Sequence, residues 1–123
     1  MQLTKTEEQL MEVIWKSEKI FLKDIIESYP EPRPASTTLA TLLKRMQDKG
    51  FVGYELFGNS RQYFPLVKKK DYFSKQVKGI IKNYFGNSAL QFASFFTTTS
   101  NLSAKELEAL KDVIDKEIRK KTK

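Results

Sequence analysis

PASTTLATLLKRMQDKG, residues 34–50, decides the fold of this chain, because it has the pattern of an amphipathic helix that ends at a glycine. The residues that repeat at helical spacing and form its apolar stripe are Leu39, Leu42, Leu43 and Met46. Gly50 supplies the left-handed residue that commonly follows a helix. We expect a hydroxyl of Ser36 or its neighbour to cap the start. The remaining hydroxylated residues, which are mediocre helix formers, then need another explanation.

The face opposite the apolar stripe is small and polar. Its hydroxyls can hydrogen-bond base edges or phosphates, and a helix N-terminus attracts phosphate. Ala40 permits close approach to the floor of a DNA groove, and Lys44 can reach the flanking backbone. This composition predicts a DNA recognition helix, and the competing explanation is a solvated helix. The candidate DNA-binding residues here are Ser36, Thr37, Thr38, Ala40, Thr41 and Lys44.

The residues before this helix predict two more helices. Thr4 and Glu7 have the spacing of a capping box, and an apolar face follows them, so residues 5–17 form a first helix. Residues 19–21 are expected to be a short extended connector. Apolar residues then recur at spacings of three and four from Leu22 to Tyr29, and the prolines at 30, 32 and 34 end this second, short helix.

The residues after residue 50 predict a β-hairpin. Residues 51–57 and 61–64 are rich in aromatic and β-branched residues, and a Gly-Asn-Ser turn joins them. Three helices followed by a hairpin are the order of a winged helix-turn-helix. Asn59, Ser60 and Arg61 at the tip of this wing are candidate contacts to phosphates or the minor groove. The lysines at 68–70 form either a solvated linker or a further source of attraction to phosphate.

Residues 71–123 have the pattern of three further helices, the last of which begins with a capping box at Ser103 and Glu106, and they are too apolar for a flexible tail. Three short helices make a small core, so we expect this surface to pack against a second copy of the chain. A two-fold dimer would place two recognition helices about one DNA turn apart, which matches a palindrome. Two alternatives stay open: these helices fold back on their own winged domain, or they house an apolar ligand. The expected dimerisation residues are Phe73, Val77, Ile80, Ile81, Tyr84, Phe85, Phe92, Phe96, Leu107, Leu110 and Ile114.

The composition argues against catalysis and for a polyanionic partner. The 123 residues include no cysteine and no histidine, which removes thiolate ligands and the commonest general base. We therefore expect no enzyme activity, no metal and no cofactor. The net charge of +7 is uneven, because residues 1–30 carry −2, residues 31–70 carry +5 and residues 71–123 carry +4. The positive charge thus begins near the recognition helix, although a basic surface that aids solubility gives the same total.

No targeting or membrane segment is expected. No apolar run approaches the roughly 20 residues that a membrane-spanning helix needs. The start of the chain, MQLTKTEEQL, is acidic where a signal peptide would be basic and then apolar. We expect a cytoplasmic protein with no membrane insertion.

Three segments of the sequence resemble the penicillinase-repressor (BlaI/MecI/CopY) family. They are LTKTEEQLMEVIWKS at 3–17, STTLATLLKRMQDKGFVGYE at 36–55 and SRQYFPLV at 60–67. The likeness continues in SALQFA at 88–93 and LSAKELEALKDVID at 102–115, which are similar to the dimerisation segment of the family. The matched motif positions are Thr4, Glu7, Ile14, Trp15, Thr38, Thr41, Leu42, Leu43, Arg45, Met46, Lys49, Gly50, Tyr63 and Phe64.

The resemblance implies a homodimeric repressor on an inverted-repeat operator, with the predicted recognition helix in the major groove and the wing on the backbone. In the antibiotic-responsive branch, a membrane sensor metalloprotease triggers cleavage of the dimerisation segment, and the repressor leaves the DNA. The aligned bond here joins Gln91 and Phe92, so the asparagine of the family's Asn-Phe bond is absent. The cysteines of the copper-responsive branch are also absent, and Ala40 replaces a longer polar residue, which implies a different operator.

The sequence therefore predicts a mainly α protein with two domains. Residues 1–70 form a winged helix-turn-helix of three helices and a hairpin, and residues 71–123 form a three-helix dimerisation region. The expected function is a homodimeric transcriptional repressor that binds double-stranded DNA. The competing functions are a winged helix that binds proteins and a regulator with an apolar effector in its aromatic C-terminal region. Enzyme activity is the most distant alternative.

Overall fold

A computed structural model describes residues 2–122, and this part of the chain contains six helices and three strands. The protein divides into two compact units, Met1–Ser74 and Lys75–Lys123. The helices are α1 (Lys5–Ser17), α2 (Leu22–Ser28), α3 (Ser36–Asp48), α4 (Lys69–Tyr84), α5 (Ala89–Thr99) and α6 (Ala104–Lys121). The strands are β1 (Ile20–Phe21), β2 (Val52–Phe57) and β3 (Ser60–Pro65). The predicted winged helix-turn-helix is confirmed as the fold.

The predicted capping box fixes the start of α1. The Thr4 side chain accepts a hydrogen bond from the amide of Glu7, and the Glu7 carboxylate accepts one from the amide of Thr4. From this start, α1 turns Leu10, Met11 and Ile14 into the core, and each is fully buried. The indole nitrogen of Trp15, which is partly buried, donates to the carbonyl of Val67 at 2.8 Å. This bond ties α1 to the segment that leaves the sheet.

Helix α3 packs its apolar stripe on the core but starts differently from the prediction. Its buried residues are Leu39, Leu42, Leu43 and Met46, as predicted. The predicted side-chain cap was wrong, because the N-cap residue is Ala35, which has no hydroxyl to accept from the first amides. Ser36 is already the first helical residue. The helix ends at Asp48 with Lys49 as its C-cap, and Gly50 follows with a φ of 85°, as predicted.

The wing belongs to a three-stranded antiparallel sheet of order β1-β3-β2. The hairpin is confirmed, whereas the extended connector at residues 19–21 is largely a third strand. Ile20 pairs with Tyr63, and Phe21 pairs with Gln62. Because paired residues lie on the same face, Ile20, Tyr63 and the next partner Tyr54 share the side that packs on the core.

The second unit exposes the apolar faces of its helices. Ser103 and Glu106 form the predicted capping box of α6, and Ser88 caps α5. No residue between 75 and 122 is buried. Large exposed side chains of this unit include Val77, Ile80, Tyr84, Leu90, Phe95, Phe96, Leu107, Val113, Ile114 and Ile118. Among residues 2–122, no helix combines the length and the apolar content needed to cross a membrane.

Candidate nucleic-acid interface

The polar face of α3 is open to solvent. The six residues that the sequence singles out there are all exposed, and they are Ser36, Thr37, Thr38, Ala40, Thr41 and Lys44. The buried stripe on the other side is less than 10% exposed at every position. A helix held this firmly by one face presents the other in a fixed orientation. Because the N-cap is an alanine, the first amides of α3 receive no side-chain acceptor from it.

One hydroxyl of this face is already engaged within the helix. The Thr41 hydroxyl donates to the carbonyl of Thr37 at 2.9 Å. This bond fixes the rotamer of Thr41, so that its oxygen retains acceptor capacity and its methyl group has a defined direction. Thr41 is therefore suited to accept from a base amino group or to pack on a thymine methyl.

The cation of this face has a partner in the free protein. The Lys44 ammonium lies 2.8 Å from a carboxylate oxygen of Asp48, one turn further along α3. The two side chains are 67% and 60% exposed, so this ion pair contributes little and is readily exchanged for a contact to phosphate. Asp48 nevertheless places a negative charge beside the face that would meet DNA.

The wing holds its arginine in place. Asn59, Ser60 and Arg61 are exposed at the tip, and Gly58 takes a positive φ of 63° in the turn. The Arg61 guanidinium lies over the ring of Tyr54, with 4.4 Å between its central carbon and the ring centroid. A hydrogen bond with Tyr63 raises the pKa of Arg61, and nearby Tyr54 and Tyr63 raise it further. The sequence indicates an arginine in a mobile turn, whereas the structure shows one laid against an aromatic ring.

A groove of about 470 Å³ joins these elements. Its lining includes residues from the start of α2, the middle of α3 and the wing, namely Lys23, Ala40, Asn59, Ser60, Arg61 and Tyr63. Four of these six, Ala40 and Asn59 to Arg61, are DNA-binding candidates from the sequence, and the structure places them along one groove. Lys23 was missed by the sequence analysis. The sequence signal that could have identified Lys23 was its position at the start of α2. The first helix of a helix-turn-helix crosses the DNA backbone, so a lysine there can contact phosphate.

A buried ion pair fixes the far end of α3. The Glu7 side chain is fully buried, and one of its oxygens lies 2.7 Å from the Lys49 ammonium. Burial would by itself raise the pKa of Glu7, but hydrogen bonds from Lys49 and Thr4 outweigh burial and lower it below its ordinary value of 4.5. The pair ties the C-terminus of α3 to the N-terminus of α1 and so helps to hold the recognition face in position.

The structure also places the residues that the sequence assigns to dimerisation. Phe73 lies in the first unit, as does Trp15, and packs on it with 5.9 Å between ring centroids. Within the second unit, Phe85 contacts Phe92 and Phe95, at centroid distances of 5.5 and 5.3 Å. The remaining expected residues lie on the exposed or half-buried faces of α4, α5 and α6, at Val77, Ile80, Ile81, Tyr84, Phe96, Leu107, Leu110 and Ile114. Leu90, Phe95, Val113 and Ile118 belong to the same exposed apolar surface, and their helical spacing was the signal for including them.

The bond between Gln91 and Phe92 lies inside α5. Gln91 is exposed, and its amide donates to the capping hydroxyl of Ser88 at 3.1 Å. A protease would have to unwind the first turns of α5 to bring this bond into an extended conformation.

The comparisons with known proteins agree with this architecture. The family model described as "Penicillinase repressor" matches residues 3–116. The methicillin resistance regulatory protein MecI of Mammaliicoccus sciuri is 27% identical over 116 residues, which cover 94% of each chain. The penicillinase repressor of Bacillus licheniformis is 23% identical over 115 residues, covering 93% of this chain and 90% of its own. A crystal structure of a mutant MarR from E. coli is similar in fold, with a TM-score of 0.50 at 16% identity over 95% of this chain and 79% of that one.

Proposed function

The chain belongs to the penicillinase repressor family, and from this premise we propose that it is a DNA-binding transcriptional repressor that acts as a homodimer on an inverted-repeat operator. The observation that carries the proposal is the open face of α3, where six small or basic residues stand exposed above a fully packed apolar stripe. In a winged helix this face enters the major groove, while the wing contacts the adjacent backbone. A repressor of this kind works where the DNA is, so the expected location is the cytoplasm.

The charge of the chain supports a nucleic-acid partner. Residues 31–70, which contain α3 and the wing, carry a net charge of +5. Basic groups on the DNA-facing side provide the sequence-independent part of the affinity through the release of counterions. The hydroxyls and methyl groups of α3 then provide the sequence-dependent part.

The second unit supports the homodimer. Its helices leave every residue from 75 to 122 at least partly exposed, although the unit is rich in aromatic and aliphatic side chains. An apolar surface of this extent is typical of an obligate interface between subunits. A second copy would bury it, and its two-fold axis would give the operator its inverted repeat.

A groove of about 300 Å³ between α5 and α6 favours one second candidate. It is lined by Phe96, Leu102, Glu106, Ala109, Leu110 and Val113, and it could hold an apolar effector in place of part of the second copy. An apolar compound that raises the melting temperature of the dimer, and not that of a groove variant, would support this candidate.

We also propose that release from DNA is linked to a membrane sensor system, with Gln91 and Phe92 at the cleaved bond.

Binding to DNA selected by the protein itself tests the main proposal. A pool of random duplexes is enriched on the wild-type protein, and the selected duplex is then titrated in a gel-shift assay. Thr41→Glu places a carboxylate on the recognition face and should abolish binding. Thr6→Glu adds the same charge to α1, away from this face, and should leave the affinity nearly unchanged. Equal affinities for wild type and Thr41→Glu would remove α3 from the interface.

A further inference from the structure

The groove beside α3 differs in charge from a second groove of the first unit, which lies along α1. The groove along α1 and the start of α4 mixes Glu12 and Glu18 with Lys16, Lys68 and Lys69. The groove beside α3 has two cations, Lys23 and Arg61, and no carboxylate in its lining. Two positive charges in one lining suit an anion, whereas the mixed groove is close to neutral. Asp24, which follows Lys23 in the chain, lines a smaller neighbouring groove that shares Lys23 and Ser60 with this one.

The walls of this groove also suit an extended anionic chain. The methyl group of Ala40 leaves room on the α3 side, and Asn59 and Ser60 on the wing side carry hydrogen-bonding groups. Lys23 approaches from the start of α2 and is exposed. The cations therefore come from two different elements, α2 and the wing, with the recognition helix contributing to the lining between them.

The orientation of Arg61 is set by a pair of aromatic rings that are tilted against each other. Arg61 lies over Tyr54 at 4.4 Å, and the Tyr54 ring is 5.8 Å from that of Tyr63. Tyr63 is only 2% exposed, so this pair of rings is anchored in the core. A guanidinium held by its face, with one hydrogen bond to Tyr63, keeps its other edge N–H groups available, and these match the oxygens of a phosphate.

We propose that this groove is a second contact to the operator, in which Lys23 and Arg61 bind the sugar-phosphate backbone beside the major groove that α3 occupies, and Tyr54 is the positioning residue for Arg61. The inference rests on the proposed function and extends it, because it adds Lys23 as a contact and Tyr54 as its support. The backbone contact is independent of sequence, so it sets affinity and salt dependence and leaves base preference to α3.

The salt dependence of binding tests the two cations. The probe is a fluorescent random-sequence duplex of roughly 30 base pairs, about three helical turns, titrated by anisotropy at several salt concentrations. Lys23→Ala and Arg61→Ala should each weaken binding by roughly threefold to tenfold and lower the slope of log K against log salt by about one. Lys16→Ala, which removes an exposed lysine from the mixed groove, is the matched control and should leave the slope unchanged.

A separate set of variants tests the positioning role of Tyr54. Tyr54→Leu should weaken binding by roughly twofold to fivefold, whereas Tyr54→Phe retains the ring and should bind like wild type. In an Arg61→Ala background, Tyr54→Leu should have no further effect. Arg61→Lys leaves Tyr54 itself in place and keeps the charge, so it should keep the salt slope but lose affinity, because an ammonium does not stack on the ring as a guanidinium does. Melting curves of each variant check that the wing is folded.

The outcomes separate this inference from the proposed function. If wild type fails to bind duplex DNA at low salt, or Thr41→Glu binds the selected duplex like wild type, the proposed function fails. If wild type binds duplex DNA and Thr41→Glu fails to bind the selected duplex, the proposed function is supported. If Lys23→Ala then behaves like Lys16→Ala, the groove is not a backbone contact. An equal loss from Tyr54→Leu with and without Arg61 would show that Tyr54 acts through packing alone, which would overturn its positioning role.

Discussion

The ammonium of Lys49, at the end of α3, lies 2.7 Å from a carboxylate oxygen of Glu7, which is fully buried in the first turn of α1. The same Glu7 oxygen accepts the amide of Thr4, so one carboxylate closes a capping box and an ion pair together. The Lys49 side chain retains 25% exposure, which lets its charge keep part of its hydration. One short-range motif and one long-range pair thus meet at a single residue and fix the angle between α1 and the recognition helix.

The pKa of Glu7 predicts how stability depends on pH. Because the pKa of Glu7 is lowered on folding, its contribution is complete above the unfolded value of about 4.5 and is lost as the pH falls through the folded value. The wild-type melting temperature should therefore drop more steeply below pH 4.5 than that of Glu7→Gln, which lacks this group. Exposed Glu27→Gln is the control and should follow the wild-type curve. Parallel curves for wild type and Glu7→Gln would contradict the role of the pair.

Replacing Asp48 should strengthen binding to DNA. Asp48→Asn removes a negative charge beside the recognition face and frees Lys44 from its 2.8 Å ion pair. Affinity for a random duplex should rise by roughly twofold to tenfold, in line with the small energies of exposed charge pairs. Asp71→Asn makes the same charge change at the start of α4 and should produce a smaller gain. A decrease in affinity for Asp48→Asn would mean that Lys44 needs Asp48 to hold its position.

The apolar face of α6 predicts the state of assembly. Ile114 is 55% exposed in a stripe with Leu110 and Ile118, and a dimer would bury it twice. Burying one apolar side chain of this size stabilises a complex by about 1.5–3 kcal/mol, and the dimer buries two copies of Ile114. Ile114→Glu should therefore weaken the dimer by roughly a hundredfold or more. Sedimentation velocity at micromolar concentration would then detect monomers for Ile114→Glu and dimers for Lys116→Glu. A wild-type protein that sediments as a monomer would refute the homodimer.

The close contact of Gly53 with Phe64 predicts a coupled pair of substitutions. A Cβ atom at Gly53 would lie 2.9 Å from a ring carbon of Phe64, which is closer than packed atoms tolerate. Gly53→Ala should therefore destabilise the wing by about 1–3 kcal/mol in urea unfolding. Because Phe64→Leu removes the ring, the double variant should lose less than the sum of the two single variants. Additive losses would place the strain elsewhere.

The sequence alone determined the features that depend on neighbours within one turn or one hairpin. The features that were predicted correctly each arise from residues only a few positions apart. They are the capping boxes at Thr4 and Ser103, the buried stripe of α3, the glycine after it and the two-stranded wing. The exposed face of α3 follows from the same periodicity. The side-chain cap expected at Ser36 or its neighbour was wrong, because Ala35 occupies the N-cap and the hydroxyls begin one residue later.

Only the tertiary structure decided what distant residues do to one another. Ile20 becomes a strand because Tyr63, far along the chain, offers it a partner. Lys23 enters the groove of α3, and Arg61 lies on Tyr54, because the sheet brings α2 and the wing together. Such contacts leave no periodic pattern in the sequence, because their geometry comes from the packing of whole elements rather than from the period of one helix or strand. The sequence therefore determines which face of α3 can read DNA, and the tertiary structure determines which cations stand beside it.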